Sequence, residues 1–523
     1  MRITNILAKS ILPACLALAI LSPAAAGGEL EGTARIGYTI IDDEGNRGVQ
    51  ESTYNIYEGL GVSLERVKYR FNDGTRVTAN LENLTLNNRN LVLGLSKHNL
   101  FGLSVRSSQY RRTYSAEGDN FTRRRRTGGE AWVQPHRLIR LFGGYGIINR
   151  HGRTEDILGE FGPPGLTDVD FSHTHYHAGL RLGESRSYAR VEYRGSDFTD
   201  NADAANDSRA SRIRVTAATP VPRYENFAVN AGFQHYCRRL ENRDDTLSAN
   251  TVWGGARFFF GDGYQVKYSF IFDRASRTGD LAATDNITHA VAAGRTWRGK
   301  GGITVGYQHR INDDVRDELT ANGYFVSGWF RPATPLTVRG GYGNEATEVQ
   351  SGRTLTGDED YTKHWLSARY KHDLGTARAK FEFKRRENEN IGSKVDFYRY
   401  AADLSITGLD YAELVAAYAY HDGTYENADG TFEFGEHVLS GDVLSKEYRG
   451  FQGGIGGMYF RTSRDLDVES FTLRLLARYR MFEDYRMEVV YSAHNFDDFD
   501  DPSPVYSRYY TSNVVQISLM REL

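Results

Sequence analysis

The stretch Phe471-Thr-Leu-Arg-Leu-Leu-Ala-Arg-Tyr-Arg480 sorts its side chains by parity. Phe471, Leu473, Leu475, Ala477 and Tyr479 fall on odd positions, and Thr472, Arg474, Arg478 and Arg480 on even ones. Successive side chains of a strand point to opposite faces, so this segment is a strand with one apolar and one charged face. The same split recurs in Val266-Lys-Tyr-Ser-Phe-Ile-Phe272, Ala189-Arg-Val-Glu-Tyr-Arg194, Ile303-Thr-Val-Gly-Tyr-Gln-His-Arg310, Leu366-Ser-Ala-Arg-Tyr-Lys371 and Met487-Glu-Val-Val-Tyr-Ser492.

Polar, Gly- and Asp-rich clusters separate these runs and read as hairpin connections: Asp42–Asn46, Asn72–Gly74, Gly261–Gly263 and Asn427–Gly430. Asp197–Ser208, Arg153–Asp168 and Asn495–Pro504 read as longer exposed loops. With 33 Tyr, 27 Phe and 54 Gly against 11 Pro, the composition favours many strands over helices. No run approaches the roughly 18 uninterrupted apolar residues of a membrane-spanning helix.

The chain opens with Arg2 and Lys9, an apolar run from Ile11 to Leu21, and Ala24-Ala25-Ala26 before Gly27. This pattern predicts a secretory signal peptide over residues 1–26, cleaved after Ala26, leaving a mature chain 27–523. A lipoprotein reading of Leu12-Pro-Ala-Cys15 is the weaker fit, because the apolar run continues past Cys15. Two of the 64 basic residues and none of the 67 acidic ones lie in the signal, so the mature charge is about −5 and nothing calls for nucleic acid. Cys237 is the one cysteine left, which excludes a disulfide framework, a C-x-x-C-H haem attachment and a Cys-rich metal site. Any redox cofactor would belong to a partner.

Export combined with ten-residue alternating segments over nearly the whole mature chain predicts a single all-β domain. The expected fold is a large transmembrane, antiparallel, up-and-down β-barrel of about 24 to 26 strands in a Gram-negative-type outer membrane. No Pro lies between Leu336 and Asp501, where each backbone N–H is needed in the ladder. The last run, Val514-Val-Gln-Ile-Ser-Leu-Met-Arg-Glu-Leu523, sets Val515, Ile517, Leu519 and Leu523 on one face and suits a closing strand. Twenty-six strands would enclose a cylinder roughly 45 to 50 Å across. Strand-like sequence begins at Thr33, soon after the cleavage site, so the chain is expected to lack a plug domain of its own.

Gly37-Tyr-Thr-Ile-Ile-Asp-Asp-Glu-Gly-Asn46, followed by Glu51-Ser-Thr-Tyr-Asn-Ile-Tyr-Glu-Gly-Leu-Gly61, resembles the opening of the decahaem-associated outer-membrane barrels of the MtrB/PioB type. Leu103-Ser-Val-Arg-Ser-Ser-Gln-Tyr-Arg-Arg-Thr-Tyr-Ser115 is similar to that family's strand ending in a Tyr- and Arg-bearing turn. The likeness covers about the first 90 mature residues. The N-terminal Cys-x-x-Cys of some members is missing. The resemblance implies an insulating sheath that holds periplasmic and outer-surface multihaem c-type cytochromes end to end for electron transfer across the membrane. The alternative is a wide porin for small, anionic solutes.

Candidate site residues follow from the face that is not apolar. Arg190, Arg194, Arg310, Arg369, Arg474, Arg478 and Arg480 are expected to face the lumen, where they could prefer anions, grip an acidic partner, or pair with carboxylates on neighbouring strands. Phe171-Ser-His-Thr-His-Tyr-His-Ala-Gly-Leu-Arg-Leu182 puts His173, His175 and His177 on one strand face, readable as a wet wall, a partner contact or an adjacent-pair metal ligand set. Arg123-Arg-Arg-Arg126, with Arg111 and Arg112 nearby, is expected as a basic loop for lipid or lipopolysaccharide phosphate, or for an acidic partner. Gly340-Gly-Tyr-Gly343 and Gly453-Gly-Ile-Gly-Gly457 open no helix and are expected as strand glycines. No G-x-S-x-G elbow is present, and no enzymatic role is expected.

Overall fold

The computed structural model describes residues 28–46, 54–114, 120–156, 165–242, 245–278, 283–313, 317–352, 358–499 and 509–523. The expected signal peptide lies outside them. Alternation produces strands almost everywhere it occurs: β1 Glu29–Gly45, β2 Gly59–Arg70, β3 Thr75–Glu82, β4 Asn90–Lys97, β5 Phe101–Thr113, β6 Phe121–His136, β7 Ile139–Asp156, β8 Gly165–Gly183 and β9 Tyr188–Asp200. The wall continues with β10 Ser208–Val221, β11 Tyr224–Leu240, β12 Asp245–Phe259, β13 Tyr264–Arg277, β14 Thr284–Trp297, β15 Gly301–Asp313, β16 Asp317–Ala333, β17 Leu336–Gly352 and β18 Glu359–His372. It ends with β19 Gly375–Asn388, β20 Ser393–Ile406, β21 Ala412–Asn427, β22 Gly430–Ser445, β23 Phe451–Arg464, β24 Val468–Arg480, β25 Tyr485–Asp498 and β26 Tyr510–Glu522.

Each strand pairs antiparallel with its chain neighbour, and β1 pairs with β26 from Thr33↔Glu522 to Gly45↔Tyr510. The 26-stranded sheet is therefore closed into a barrel, each strand hydrogen-bonded on both sides. Segments expected as loops prove to be partly strand: β1 includes Asp42–Gly45, β7 runs to Asp156, β9 to Asp200 and β25 to Asp498. Polar residues on both faces hide the alternation there, but the backbone ladder does not require an apolar face.

Tight turns such as Phe71–Gly74 and Arg137–Leu138 gather at the rim that also carries the start of β1 and the end of β26. The strand ends that bound the longer connections, such as Gly45 with Gly59 and Asp498 with Tyr510, lie at the distal rim. Short turns face the periplasm in outer-membrane barrels, which orients the wall. The exposed apolar rows sit beside the tight turns: Phe471 to Tyr479 in β24, Tyr264 to Phe272 in β13, Ala178 to Leu182 in β8. A membrane crossing needs about 9 to 11 strand residues. β7 and β8, with 18 and 19 residues, are far longer, so their distal halves rise beyond the apolar band.

β3 and β4 have eight residues each, which leaves a notch in the distal wall. The chain fills it. The Gln109 N–H donates to the Arg89 carbonyl at 2.9 Å, and the Tyr57 hydroxyl to the Arg111 carbonyl at 2.8 Å, capping the exposed edge of β5. From the same segment Tyr54 reaches the inner face of β24–β26, where its ring lies 3.9 Å from that of His494 and its hydroxyl accepts from Tyr510 at 3.1 Å. Beneath it Tyr510, Ser512 and Val514 are almost fully buried.

Candidate functional site

The cross-strand register assigns the two faces. Leu141↔Leu180↔Val191↔Val215 and Tyr145↔Tyr176 form apolar rows on the lipid side. The intervening residues, including His173, His175, His177, Arg181, Arg190 and Arg194, line the lumen. Of the arginines singled out from sequence, those outside β8–β10 mostly have a carboxylate beside them. Arg310 binds Glu345 at 2.9 Å, Arg474 binds Asp442 at 2.5 Å, and Arg480 binds Glu447 at 2.8 Å. Arg478 donates to Glu488 at 2.6 Å, and Arg35 reaches the same carboxylate at 3.5 Å. Arg369 is exposed and makes no ion pair among the described residues. Pairing across neighbouring strands is thus the rule for these arginines, and such half-exposed pairs contribute specificity of register more than stability.

The arc β5–β10 departs from that balance. Arg190 and Arg194 share one carboxylate, Glu192, which is buried; Arg190 lies 2.7 Å from it and Arg194 bonds its other oxygen. Arg106, Arg126, Arg140 and Arg181 have no ion pair among the described residues; Arg181 donates to the Glu184 carbonyl at 3.3 Å and lies 4.7 Å over the Tyr188 ring. Two aromatic rings hold the guanidinium groups in place: Arg140 stands 4.0 Å over Trp132 and Arg190 4.5 Å over Phe142. Together they enclose a hollow of about 540 Å³, which adjoins a second of about 330 Å³ through Arg181, Arg190, Glu192 and Arg194.

Glycines shape the floor of the hollow: Gly128, Gly129 and Gly143 line it, and Gly144 and Gly146 seat the imidazoles at its side. A Cβ on Gly144 would lie 2.6 Å from His177 Cε1, and one on Gly146 2.5 Å from His175 Nε2. The imidazoles therefore lie over bare backbone. The rings of His173 and His175 are 6.0 Å apart, and no group of three or more His, Cys, Asp or Glu is placed to hold one ion among the described residues. The three histidines belong to the lumen wall, with His175 and His177 on the hollow and His173 one step distal.

The expected basic loop Arg123–Arg126 is corrected: all four residues lie inside β6. Arg124 and Arg126 share the inward face, where Arg124 pairs with Tyr110 and Arg150 in register, whereas Arg123 and Arg125 face the lipid side near Arg111 and Arg89. Burial, followed by the charges of Arg125 and Arg123, pushes the Arg89 guanidinium below its usual range. The two glycine runs lie within β17 and β23, as strand glycines. Arg106, Trp132, Arg140, Phe142, Arg181 and Glu192 were not singled out from sequence; Arg181 shares the odd-numbered face of the histidines and the others hold even positions of alternating runs, but only cross-strand register brings them together.

A closed, 26-stranded antiparallel wall with an apolar band and tight turns at one rim decides the class. This is a large outer-membrane β-barrel. No family model matches the chain, and no curated protein matches it. Among solved structures it is similar to the FrpB iron transporter from Neisseria meningitidis (TM-score 0.51, 8% identity, 82% of this chain and 81% of that one covered). The siderophore receptor PirA from Pseudomonas aeruginosa (TM-score 0.47, 10% identity, 95% and 80% covered) and the copper transporter OprC (TM-score 0.47, 11% identity, 94% and 80% covered) also match. At these identities the likeness is one of fold. It corrects the expectation of a barrel without a plug domain: outer-membrane transporters of this general size have a plugged lumen, so a large strand number and an early first strand do not argue against one.

Proposed function

We propose that the barrel is the insulating sheath of an outer-membrane electron conduit, holding a multihaem c-type cytochrome in its lumen between periplasmic and outer-surface partners. The observation that carries this reading is the closure of 26 strands. Such a cylinder is about 50 Å across at the backbone and roughly 40 Å across inside its side chains. A folded domain of about 100 residues has a radius of gyration near 13 Å and fits that space. The inner wall, where arginines such as Arg310, Arg474 and Arg480 are paired with carboxylates, offers a polar lining to a protein surface. The N-terminal resemblance to decahaem-associated barrels points the same way. The haem is the partner's, and the role proposed for the barrel is not catalytic. A low-dielectric wall would separate the haem chain from lipid, and its height would fix how far the chain must reach.

A second reading, passage of small anionic solutes, is favoured by the unpaired basic arc on β5–β10 and by the likeness to transporter folds. Purification from native outer membranes in mild detergent separates the two. A Soret band that co-elutes with the barrel is the expected result, whereas haem-free barrel that conducts anions in a planar bilayer would overturn the sheath.

A further inference from the structure

We propose that the glycine-paved hollow on the inner face of β5–β9 is an oxyanion-binding site, built for carboxylate or phosphate groups carrying two or more negative charges. Three independent observations carry it. The first is charge: Arg106, Arg126, Arg140, Arg181, Arg190 and Arg194 converge on the hollow against two carboxylates, Glu130 and Glu192. Elsewhere on the wall Arg310, Arg474 and Arg480 each have a carboxylate of their own.

The second is unused donor capacity. The Nε atoms of Arg181 and Arg190 are buried without a hydrogen-bond partner among the described residues. A buried donor left unpaired is unfavourable, and an oxygen that met it after a small turn of the side chain would relieve that cost. Arg140 and Arg190 are also propped on Trp132 and Phe142, so little side-chain entropy is lost when they bind.

The third is space at the backbone. Gly128, Gly129 and Gly143 line the hollow, and Gly144 and Gly146 let the His177 and His175 rings lie against the backbone, where an added Cβ would collide with them. The hollow is therefore a recess in the wall rather than a bare patch on it. It lies on residues close to the tight turns Arg137–Leu138 and Glu184–Ser187, near the periplasmic mouth.

The site stands apart from the sheath reading, since the same chemistry serves carboxylates borne by a protein in the lumen or a free oxyanion crossing it. The full barrel in detergent micelles at low ionic strength would be titrated calorimetrically with inorganic pyrophosphate and, separately, with a poly-glutamate peptide. Saturable binding of at least one probe is expected, weakened about tenfold or more in Arg140→Gln/Arg190→Gln and unchanged in Arg310→Gln. Arg106→Gln, at an exposed and unpaired position, gives a second comparison should the double variant not refold, and a severalfold loss is expected. Binding of pyrophosphate alone assigns the site to small oxyanions, and binding of the peptide alone assigns it to a protein partner. No saturable binding of either probe, or equal binding by the wild type and the Arg106 and Arg140/Arg190 variants, would overturn the proposal. Haem co-purification does not depend on the hollow, so the two proposals can fail separately.

Discussion

Tyr54 rests on His494, ring against ring at 3.9 Å, joining the connection after β1 to the inner face of β25. Its hydroxyl also lies 3.3 Å from Thr472 Oγ1 on β24. One side chain thereby pins an inward-folded segment across the seam where the barrel closes. Tyr54→Ala should expose Tyr510 and Ser512 and cost about 1 to 3 kcal/mol, aromatic contact and burial together. Limited proteolysis would show faster cleavage near Tyr54 while the heat-resistant barrel band persists; unchanged cleavage would mean that the tyrosine does not hold the segment.

Glu192 serves two arginines at once. Glu192→Gln keeps the shape and removes the charge, leaving Arg190 and Arg194 beside Arg181 with no carboxylate. Because both guanidinium groups are about half exposed, water screens much of the repulsion, and a loss of roughly 1 to 2 kcal/mol is expected in urea titrations of the barrel refolded into vesicles. The same change in Glu345, which has a single partner and is itself more accessible than Glu192, should cost less. Equal losses would show that the shared carboxylate carries no special burden.

The lipid-side assignment is open to a direct check. Leu475→Arg places a charge in the apolar band and should destabilise the barrel by about 2 to 4 kcal/mol in vesicles. Thr304→Arg, on the inward face of β15 opposite Ser327 and Gly294, should cost less than about 1 kcal/mol. A reversed order of these two variants would invert the wall.

Acid sensitivity should begin at a periplasmic turn. The backbone N–H of Thr75 donates to Asp73 at 2.9 Å and Lys97 Nζ at 3.0 Å; these bonds, led by the Thr75 amide, hold the Asp73 carboxyl down at about 2. Its folded-state value lies below its unfolded one, so the stability it contributes is full above about pH 4 and disappears as the pH falls toward 2. In Asp73→Asn the urea midpoint should therefore drop less between pH 5 and pH 2 than in the wild type. Parallel curves would remove Asp73 from the acid response.

Much of the wall is legible in the sequence, and the exceptions share a cause. Phe471–Arg480 declares its faces because lipid demands apolar residues at every second position. Above the membrane that demand lapses, so Asp42–Gly45 and the distal parts of β7 and β8 look like loops although they continue the ladder. Arg123–Arg126 misleads for the same reason: four identical residues have no period, and only the register with β5 and β7 divides them between two faces. The oxyanion hollow is less legible still. His175 faces Gly146 and His177 faces Gly144 only after β7 and β8 have paired.

The seam between β1 and β26 sets the order of assembly. The residues that meet there, Thr33 with Glu522 and Gly45 with Tyr510, stand at opposite ends of the chain. Every other strand can pair with a neighbour made just before it, but the hoop cannot seal until the last strand has been delivered. Until then two long ladders of N–H and C=O groups are bare, and each is a template for mispairing with another chain. A nascent barrel of this kind must be escorted with both edges shielded, and its most vulnerable moment comes at the final hydrogen bonds rather than the first.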